Sequence, residues 1–335
     1  MTPLVFSRIR RAAWAATPLA ALLFCPRAHA QTGPALLLEP FPREQLIDAR
    51  GGYTLLDAGH VKDSDESARL TFYESSGRVR VIPGSLISPR VGWDLEHIDV
   101  DFGPGPLGDS FPSQLSDHSV GVAFPIAQVK QWIFGASLGV GYAGGDPWED
   151  GSGWYGKATL VGFRQFGERD AIVFVLDYDG NRTFLPDTPL PGVAYTRKVS
   201  ESLTYIVGLP VTSVTFKPVP NVTLEAGYLP IEAFHAAAGW EFAPHWTLFG
   251  ALDYRDSAFQ LDQLGGNDRL MFQQRRAEAG VRWGPRQARE RFAVTAAVGY
   301  AWGQEFSVGF DSRKSEEVAD LSDEPYVRFG IEFKF

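Results

Sequence analysis

The 335-residue chain has a single cysteine, Cys25, and two methionines. A lone thiol closes no disulfide within the chain, so its stability has to come from elsewhere. Positive charge is scarce too: 31 Lys and Arg stand against 40 Asp and Glu, a formal net charge of -9. An acidic balance argues against a nucleic-acid partner, which asks for a basic surface. Beyond the first thirty residues no run of about 18 apolar residues occurs, which excludes a membrane-spanning helix. It does not exclude a membrane barrel, whose lipid-facing residues alternate with lumen-facing ones and so dilute any hydropathy window. Paired histidines are also missing. His60, His97, His118, His235 and His245 never fall as His-x-His or His-x-x-x-His, so a metal site has no support and no cofactor is implied.

The amino-terminus has the order of an export signal. Arg8, Arg10 and Arg11 form a positive head, Ala12 to Phe24 an apolar stretch, and Ala28-His29-Ala30 a small-x-small cleavage site. Residues 1–30 are therefore read as a signal peptide cleaved after Ala30, with Gln31 first in the mature chain. A lipidated start at Cys25 is disfavoured by the bulky Phe24 before it. Cleavage removes Cys25, four arginines and no acids, which takes the formal charge from -9 to -13. The mature chain then has no thiol nucleophile and no thiolate metal ligand.

Glycine (35 residues) and aromatics (13 %) are abundant, a balance that suits a sheet with tight turns. Period-two alternation, the mark of a strand, recurs in Lys130 to Gly144, Asp170 to Asp179, Asn221 to Tyr228, His245 to Arg255 and Arg291 to Gln304. Several stripes reach the roughly 9–11 residues that cross a bilayer at a tilt. Trp132 and Tyr142, Trp246 and Tyr254, and Tyr300 lie near stripe ends, where a barrel carries its interfacial girdles. Ala127 to Lys130, Gly167 to Asp170, Pro218 to Asn221 and Ala243-Pro244 read as tight links. Gly103 to Asp117, Gly144 to Gly153, Gln260 to Asp268 and Gly303 to Glu324 read as long loops. That asymmetry is the outer-membrane pattern, short turns toward the periplasm. The pattern predicts a single antiparallel up-and-down barrel over residues 51–335, with about 12 strands in a range of roughly 10–14. Arg69 to Ile87 and Val199 to Lys217 are ambiguous. Residues 31–50 contain proline and no clear strand, and are read as a periplasmic lead-in or a plug-like segment.

A charge facing lipid at mid-depth costs about 2–4 kcal/mol for Arg or Lys, so alternation drives charges to the lumen. On that reasoning Asp94, Glu96, Lys157, Asp177, Asp179, Glu225, Asp253, Arg255, Arg276, Glu278 and Arg282 are the lumen-facing candidates. They fit either a closed lumen filled by ion pairs or a wet pore that selects small polar solutes. Catalytic patterns are weak. Asp117-His118-Ser119 has the residue types of a hydrolytic triad, but consecutive strand residues point to opposite faces. Gly139-x-Gly141 lies on a strand and not before a helix, so it cradles no phosphate.

The last strand alternates without a fault from Val327. Val327, Phe329, Ile331, Phe333 and Phe335 share one face; Arg328, Gly330, Glu332 and Lys334 share the other. It resembles the carboxy-terminal assembly signal of bacterial outer-membrane barrels, a final alternating strand ending on Phe. The runs Leu185-Pro186 to Tyr195, Leu203 to Pro210 and Val214 to Pro218 resemble a family of uncharacterised outer-membrane barrels known by a domain of unknown function. So do Asp268-Arg269, Glu278-Ala279-Gly280 and Val298-Gly299-Tyr300. The resemblance covers the last half of the chain and implies a barrel, with no reaction or catalytic residue.

The resulting expectation is a monomer in the Gram-negative outer membrane, partnered by outer-membrane lipid and the barrel-assembly machinery. It is a passive, porin-like channel for small polar solutes or a structural barrel, and not an enzyme. The alternatives are a barrel hydrolase acting on lipid or envelope polymer, and a soluble periplasmic β-sheet binding protein.

Overall fold

The computed structural model describes residues 32–335 apart from 40, 43–44, 86–87, 146–150, 230–232, 266 and 285–291. The signal segment, with Ala28 and Ala30, lies outside the described residues. Among the described residues, eighteen antiparallel strands form one sheet. In chain order they are β1 (Ile47–Leu56), β2 (Gly59–His60), β3 (Ser67–Arg80), β4 (Arg90–Phe102), β5 (Gln114–Val129) and β6 (Trp132–Gly144). There follow β7 (Trp154–Phe166), β8 (Asp170–Asp179), β9 (Leu190–Lys198), β10 (Leu203–Leu209), β11 (Thr212–Phe216) and β12 (Val222–Leu229). The last are β13 (Ala233–Ala243), β14 (Trp246–Phe259), β15 (Arg269–Trp283), β16 (Phe292–Gly309), β17 (Ser315–Leu321) and β18 (Glu324–Lys334).

The sheet closes where β1 pairs with β18, from Asp48 opposite Lys334 to Leu56 opposite Tyr326. With β2 and β17 as short flaps on β3 and β16, the closed ring has 16 strands. The architecture is the expected all-β antiparallel barrel, and the expected count of about 12 is corrected to 16. The missed strands have physical causes. β10 and β11 are only 7 and 5 residues long and are joined through Pro210-Val211, too short for a periodic stripe. β5 carries Pro125 inside its alternation, at a register shift between Pro125 and Ala127. Gly303 to Glu324, expected as a loop, is mostly strand. Gly303 takes φ +55, a left-handed conformation that suits glycine. The register slips there, and β16 then continues to Gly309 before β17 pairs back on it.

Both barrel ends of the chain lie at one rim, together with the tight connections 130–131, 167–169, 199–202 and 244–245. The opposite rim carries 103–113, 145–153, 180–189 and 260–268. We call these the terminus rim and the loop rim.

The polarity of the wall is inverted relative to a soluble barrel. Leu138, Leu160 and Val298 are 59, 52 and 64 % exposed, whereas their chain neighbours Ser137, Thr159 and Ala297 are 1, 1 and 7 % exposed. A Leu or Val left in water forgoes about 1.5–3 kcal/mol of burial. Repeated around the ring, that loss requires an apolar surrounding. Aromatic rings collect on the outer face near the terminus rim. Trp132 lies 5.6 Å from Phe174, Trp283 6.3 Å from Phe292, and Phe292 5.4 Å from Phe333. The terminal strand shares this face: Val327, Phe329 and Phe335 are exposed, and Ile331 and Phe333 are half-buried.

Candidate functional site: a divided lumen

Alternation along β3 sets the vertical composition of the interior. From the loop rim its inward residues run Ala68, Leu70, Phe72, then Glu74, Ser76, Arg78 and Arg80. The apolar part joins Ile98, Leu115, Phe272 and Phe306 in a buried cluster beneath the loop rim. Phe72 meets Phe272 at 5.8 Å and Phe272 meets Phe306 at 4.8 Å between ring centroids. Below it, the interior is charged.

Near the loop rim β14 touches the wall almost opposite it in the ring. Gln260 N donates to Ala143 O at 3.0 Å, and Asn181 Nδ2 donates to Ala258 O at 2.8 Å and to Asp117 Oδ2 at 3.1 Å. Lower down, Arg255 Nη2 reaches Glu74 Oε1 at 2.5 Å and Glu96 Oε2 at 3.1 Å, and Ser257 Oγ donates to Glu96 at 3.1 Å. The barrel is pinched, and the lumen has two lobes. One is bounded by β14, β15, β16, β18, β1, β3 and β4; the other by β6 to β13.

The first lobe holds most of the candidate charges. Glu278 accepts from Arg328 at 2.6 Å and from the Tyr326 hydroxyl at 3.2 Å. Arg282 pairs with Glu332 at 3.1 Å. Arg276, 2 % exposed, stands opposite Asp253 in register, and Asp253 meets His235 Nδ1 at 2.5 Å. Asp94 lines a cavity of about 240 Å³ under the aromatic cluster, together with Arg255 and Arg282. In the second lobe Lys157 pairs with Asp179 at 3.1 Å. Asp177 accepts from Arg182 at 2.6 Å and from Thr159 at 2.7 Å. Glu225 lies on β12, opposite Thr215 and Ala237 in register.

The segment before β1 runs inside the barrel. Thr32 Oγ1 lies 3.1 Å from Ser119 Oγ, Ser137 Oγ donates to Gly33 O at 3.2 Å, and Arg90 Nη1 donates to Leu36 O at 3.0 Å. Pro34–Leu38 is a single helical turn, with Leu36 fully buried. Arg80 donates to Phe41 O at 2.8 Å and to Pro42 O at 3.2 Å, while Arg78 and Arg80 sit 4.7 and 4.8 Å over the Phe41 ring. Arginine suits this latch because one planar group serves several carbonyls and an aromatic face at once.

The loop rim is bridged as well. Ser312 N donates to Thr183 O at 2.9 Å, and the Arg313 guanidinium lies 4.8 Å over the Phe184 ring. Arg269, 3 % exposed, donates to Phe310 O, to Gly180 O and to Asp187 Oδ2 at 3.2, 3.1 and 3.2 Å. One guanidinium thus ties 180–189 to 310–314. Sequence reasoning missed Arg269 and the Arg78/Arg80 latch. Arg78 and Arg80 did carry a signal, two arginines at strand spacing in an ambiguous stretch; Arg269 carried none.

Catalytic arrangements do not assemble among the described residues. Asp117 and Ser119 point inward and His118 outward, as their register with Glu96, Asp94 and Leu95 requires. His235 and Asp253 form two parts of a triad, but no hydroxyl bonds His235 Nε2. No group of three or more His, Cys, Asp and Glu could hold a metal ion among the described residues.

No family model matches the chain, and no curated protein matches it. Among solved structures it is similar to a Pseudomonas aeruginosa FadL homologue, with 10 % identity and a TM-score of 0.39 over 91 % of this chain and 93 % of that one. It is also similar to an outer membrane channel from Pseudomonas putida F1, with 12 % identity and a TM-score of 0.35 over 88 % and 97 %. A third is outer-membrane expressed OmpT of Vibrio cholerae, with 11 % identity and a TM-score of 0.28 over 88 % and 99 %. Likeness of this degree says nothing about activity.

Proposed function

We propose that the chain is a bacterial outer-membrane β-barrel that passes small polar solutes passively, and that this structure is its closed state. The observation that carries the reading is the inverted wall, an apolar outer face around a polar interior, which suits a barrel in a bilayer. The conducting path runs through the lobe bounded by β6 to β13. There the inward side chains of β9 to β13 include the small residues Gly192, Ala194, Ser213, Thr215 and Gly239. The other lobe is blocked by its aromatic cluster. Residues 32–42 act as a plug latched by Arg78, Arg80 and Arg90, and the loops tied at Arg269 act as a cover.

Fractionation in detergent, heat-modifiable gel mobility and planar-bilayer conductance test the reading. Outer-membrane recovery, a heat-dependent mobility shift and discrete conductance steps are expected. Recovery in the soluble periplasm would remove the membrane assignment. A barrel that stays silent after residues 32–42 are deleted would remove the channel.

A further inference from the structure

The outer face near the terminus rim holds a guanidinium that no carboxylate pairs with. Alternation along β7 turns Leu160, Gly162, Arg164 and Phe166 outward. Gly162 lies in register with Phe134 on β6 and Phe174 on β8, and Arg164 with Trp132 and Ile172. Glycine leaves a gap in this row, and the neighbouring rings lean over it. Trp132 lies 5.6 Å from Phe174 although β7 runs between their strands. A Cβ on Gly162 would meet Phe134 at 3.1 Å and Trp132 at 3.9 Å. The rings form an aromatic shelf, and Arg164 stands at its edge on the side of the rim.

The Arg164 side chain is laid toward the rim. Its guanidinium carbon lies 4.6 Å from the centroid of the Phe166 ring and 5.8 Å from that of Trp132. Nε and Nη2 donate to Gln131 Oε1 at 3.2 and 2.9 Å. That fixes one edge of the plane and leaves Nη1 without a hydrogen bond among the described residues. Gln131 is neutral, so it holds the charge without compensating it. Lys130, next to it in the β5–β6 turn, is exposed and has no hydrogen bond or ion pair among the described residues.

The nearby acids do not balance these two cations. Asp170, opposite Phe166 in register, accepts from the Tyr195 hydroxyl at 2.5 Å and lies 3.8 Å from Arg197 Nε. Glu168, on the β7–β8 turn, is exposed and bonds to neither Arg164 nor Lys130. Two positive charges beside aromatic faces at a membrane interface suit an anion with an apolar body. A guanidinium offers phosphate parallel donors, aromatic rings settle at headgroup depth, and anionic lipid attracts Lys and Arg near its surface. A free anion would gain nothing from the rings. A zwitterionic lipid brings its own ammonium and would leave the pair of cations half matched.

We propose that this face binds one anionic phospholipid, with its phosphate between Lys130 and the free edge of Arg164 and its glycerol and upper chains against Trp132, Phe166 and Phe174. The site rests on the membrane reading proposed above and is independent of conduction.

The test is native mass spectrometry of the folded, detergent-solubilised full chain with equal concentrations of phosphatidylglycerol and phosphatidylethanolamine of one chain length. The parent should retain at least fivefold more phosphatidylglycerol. Arg164→Gln combined with Lys130→Gln should remove the preference while heat-modifiable mobility is retained. Should that double variant not fold, Lys130→Gln alone, on an exposed turn, should at least halve the preference. Arg197→Gln is the control: it removes a cation of the same rim that already has Asp170, and it should keep the parent's preference. Equal retention of the two lipids by the parent would overturn the site, and so would a preference that survives the double variant. A preference lost equally in Arg197→Gln would reduce it to the general charge of the rim. Displacement of the lipid by millimolar inorganic phosphate would overturn the lipid in favour of a free-anion site. Equal retention by a chain recovered in the outer membrane would sink the lipid site alone, whereas recovery in the soluble periplasm would sink the membrane reading with it.

Discussion

Arg255 on β14 holds Glu74 on β3 and Glu96 on β4 at 2.5 and 3.1 Å, so one guanidinium joins two walls that are not neighbours in the ring. The pinch of the barrel passes through this contact. Replacing it with an apolar isostere leaves two carboxylates facing each other in a buried site. Breaking a buried pair by removing one partner costs about 3–5 kcal/mol. Arg255→Met should therefore lower the unfolding free energy by an amount in that range, read as a lower denaturation midpoint of the folded gel form. Adding Glu74→Gln and Glu96→Gln to Arg255→Met should recover much of the loss. An unchanged midpoint in Arg255→Met would show that the walls are held together elsewhere.

Arg269 does a different job at the loop rim. Its bonds to Gly180, Asp187 and Phe310 join two loops that also meet at Ser312 N–Thr183 O and at Arg313 over Phe184. Arg269→Gln keeps a donor but loses the fork that reaches both loops. Mean single-channel conductance in planar bilayers should rise in this variant. Equal conductance in variant and parent would mean that these loops do not cover the path.

The same loop contact has a pH dependence of definite sign. The side-chain hydrogen bond from Arg313 holds the Asp311 carboxyl below its ordinary value. A depressed carboxyl stabilises fully above the unfolded pKa, about 3.9 for Asp, and loses that contribution as pH falls through the folded value. The bond from Ser312 N to Thr183 O should therefore stay protected against amide exchange at pH 5 to 8 and lose protection only below about pH 3.9. Asp311→Asn should show no such acid step. A step in the parent near pH 6 would assign the change to another group.

How much of this was legible beforehand divides along one physical line. Alternation reports which face a residue takes, because it is a local property of the strand; the faces of β8, β16 and β18 follow from it directly. Contacts across the lumen depend on how the ring closes and flattens, which no local pattern carries. Arg255 and Glu96 could each be assigned to the interior, yet their meeting depends on the pinch. The strand count failed at β10 and β11, because a stripe of 5–7 residues has too few periods to stand out, and at β5, where Pro125 interrupts the alternation at a register shift. Arg269 looked like an ordinary charge at a strand start, and its role exists only because 180–189 and 310–314 fold toward each other.

The carboxy-terminal residue is the remaining test of the membrane reading. Phe335 is 55 % exposed on the outer face, stacked at 6.4 Å on Phe333, and its backbone bonds to Ile47 at the seam. Most of its ring contributes little to packing in the finished barrel, so its loss should barely affect a barrel already folded. If the ring acts instead during insertion, as the resemblance to an assembly signal implies, deleting Phe335 should sharply reduce the amount of heat-modifiable protein in the outer membrane. Phe329→Ala is the control. It removes an equally exposed outer-face ring, at 56 %, from the middle of the same strand, and it should leave assembly closer to the parent level. Equal yields from the two variants would reduce Phe335 to one more apolar residue in the girdle.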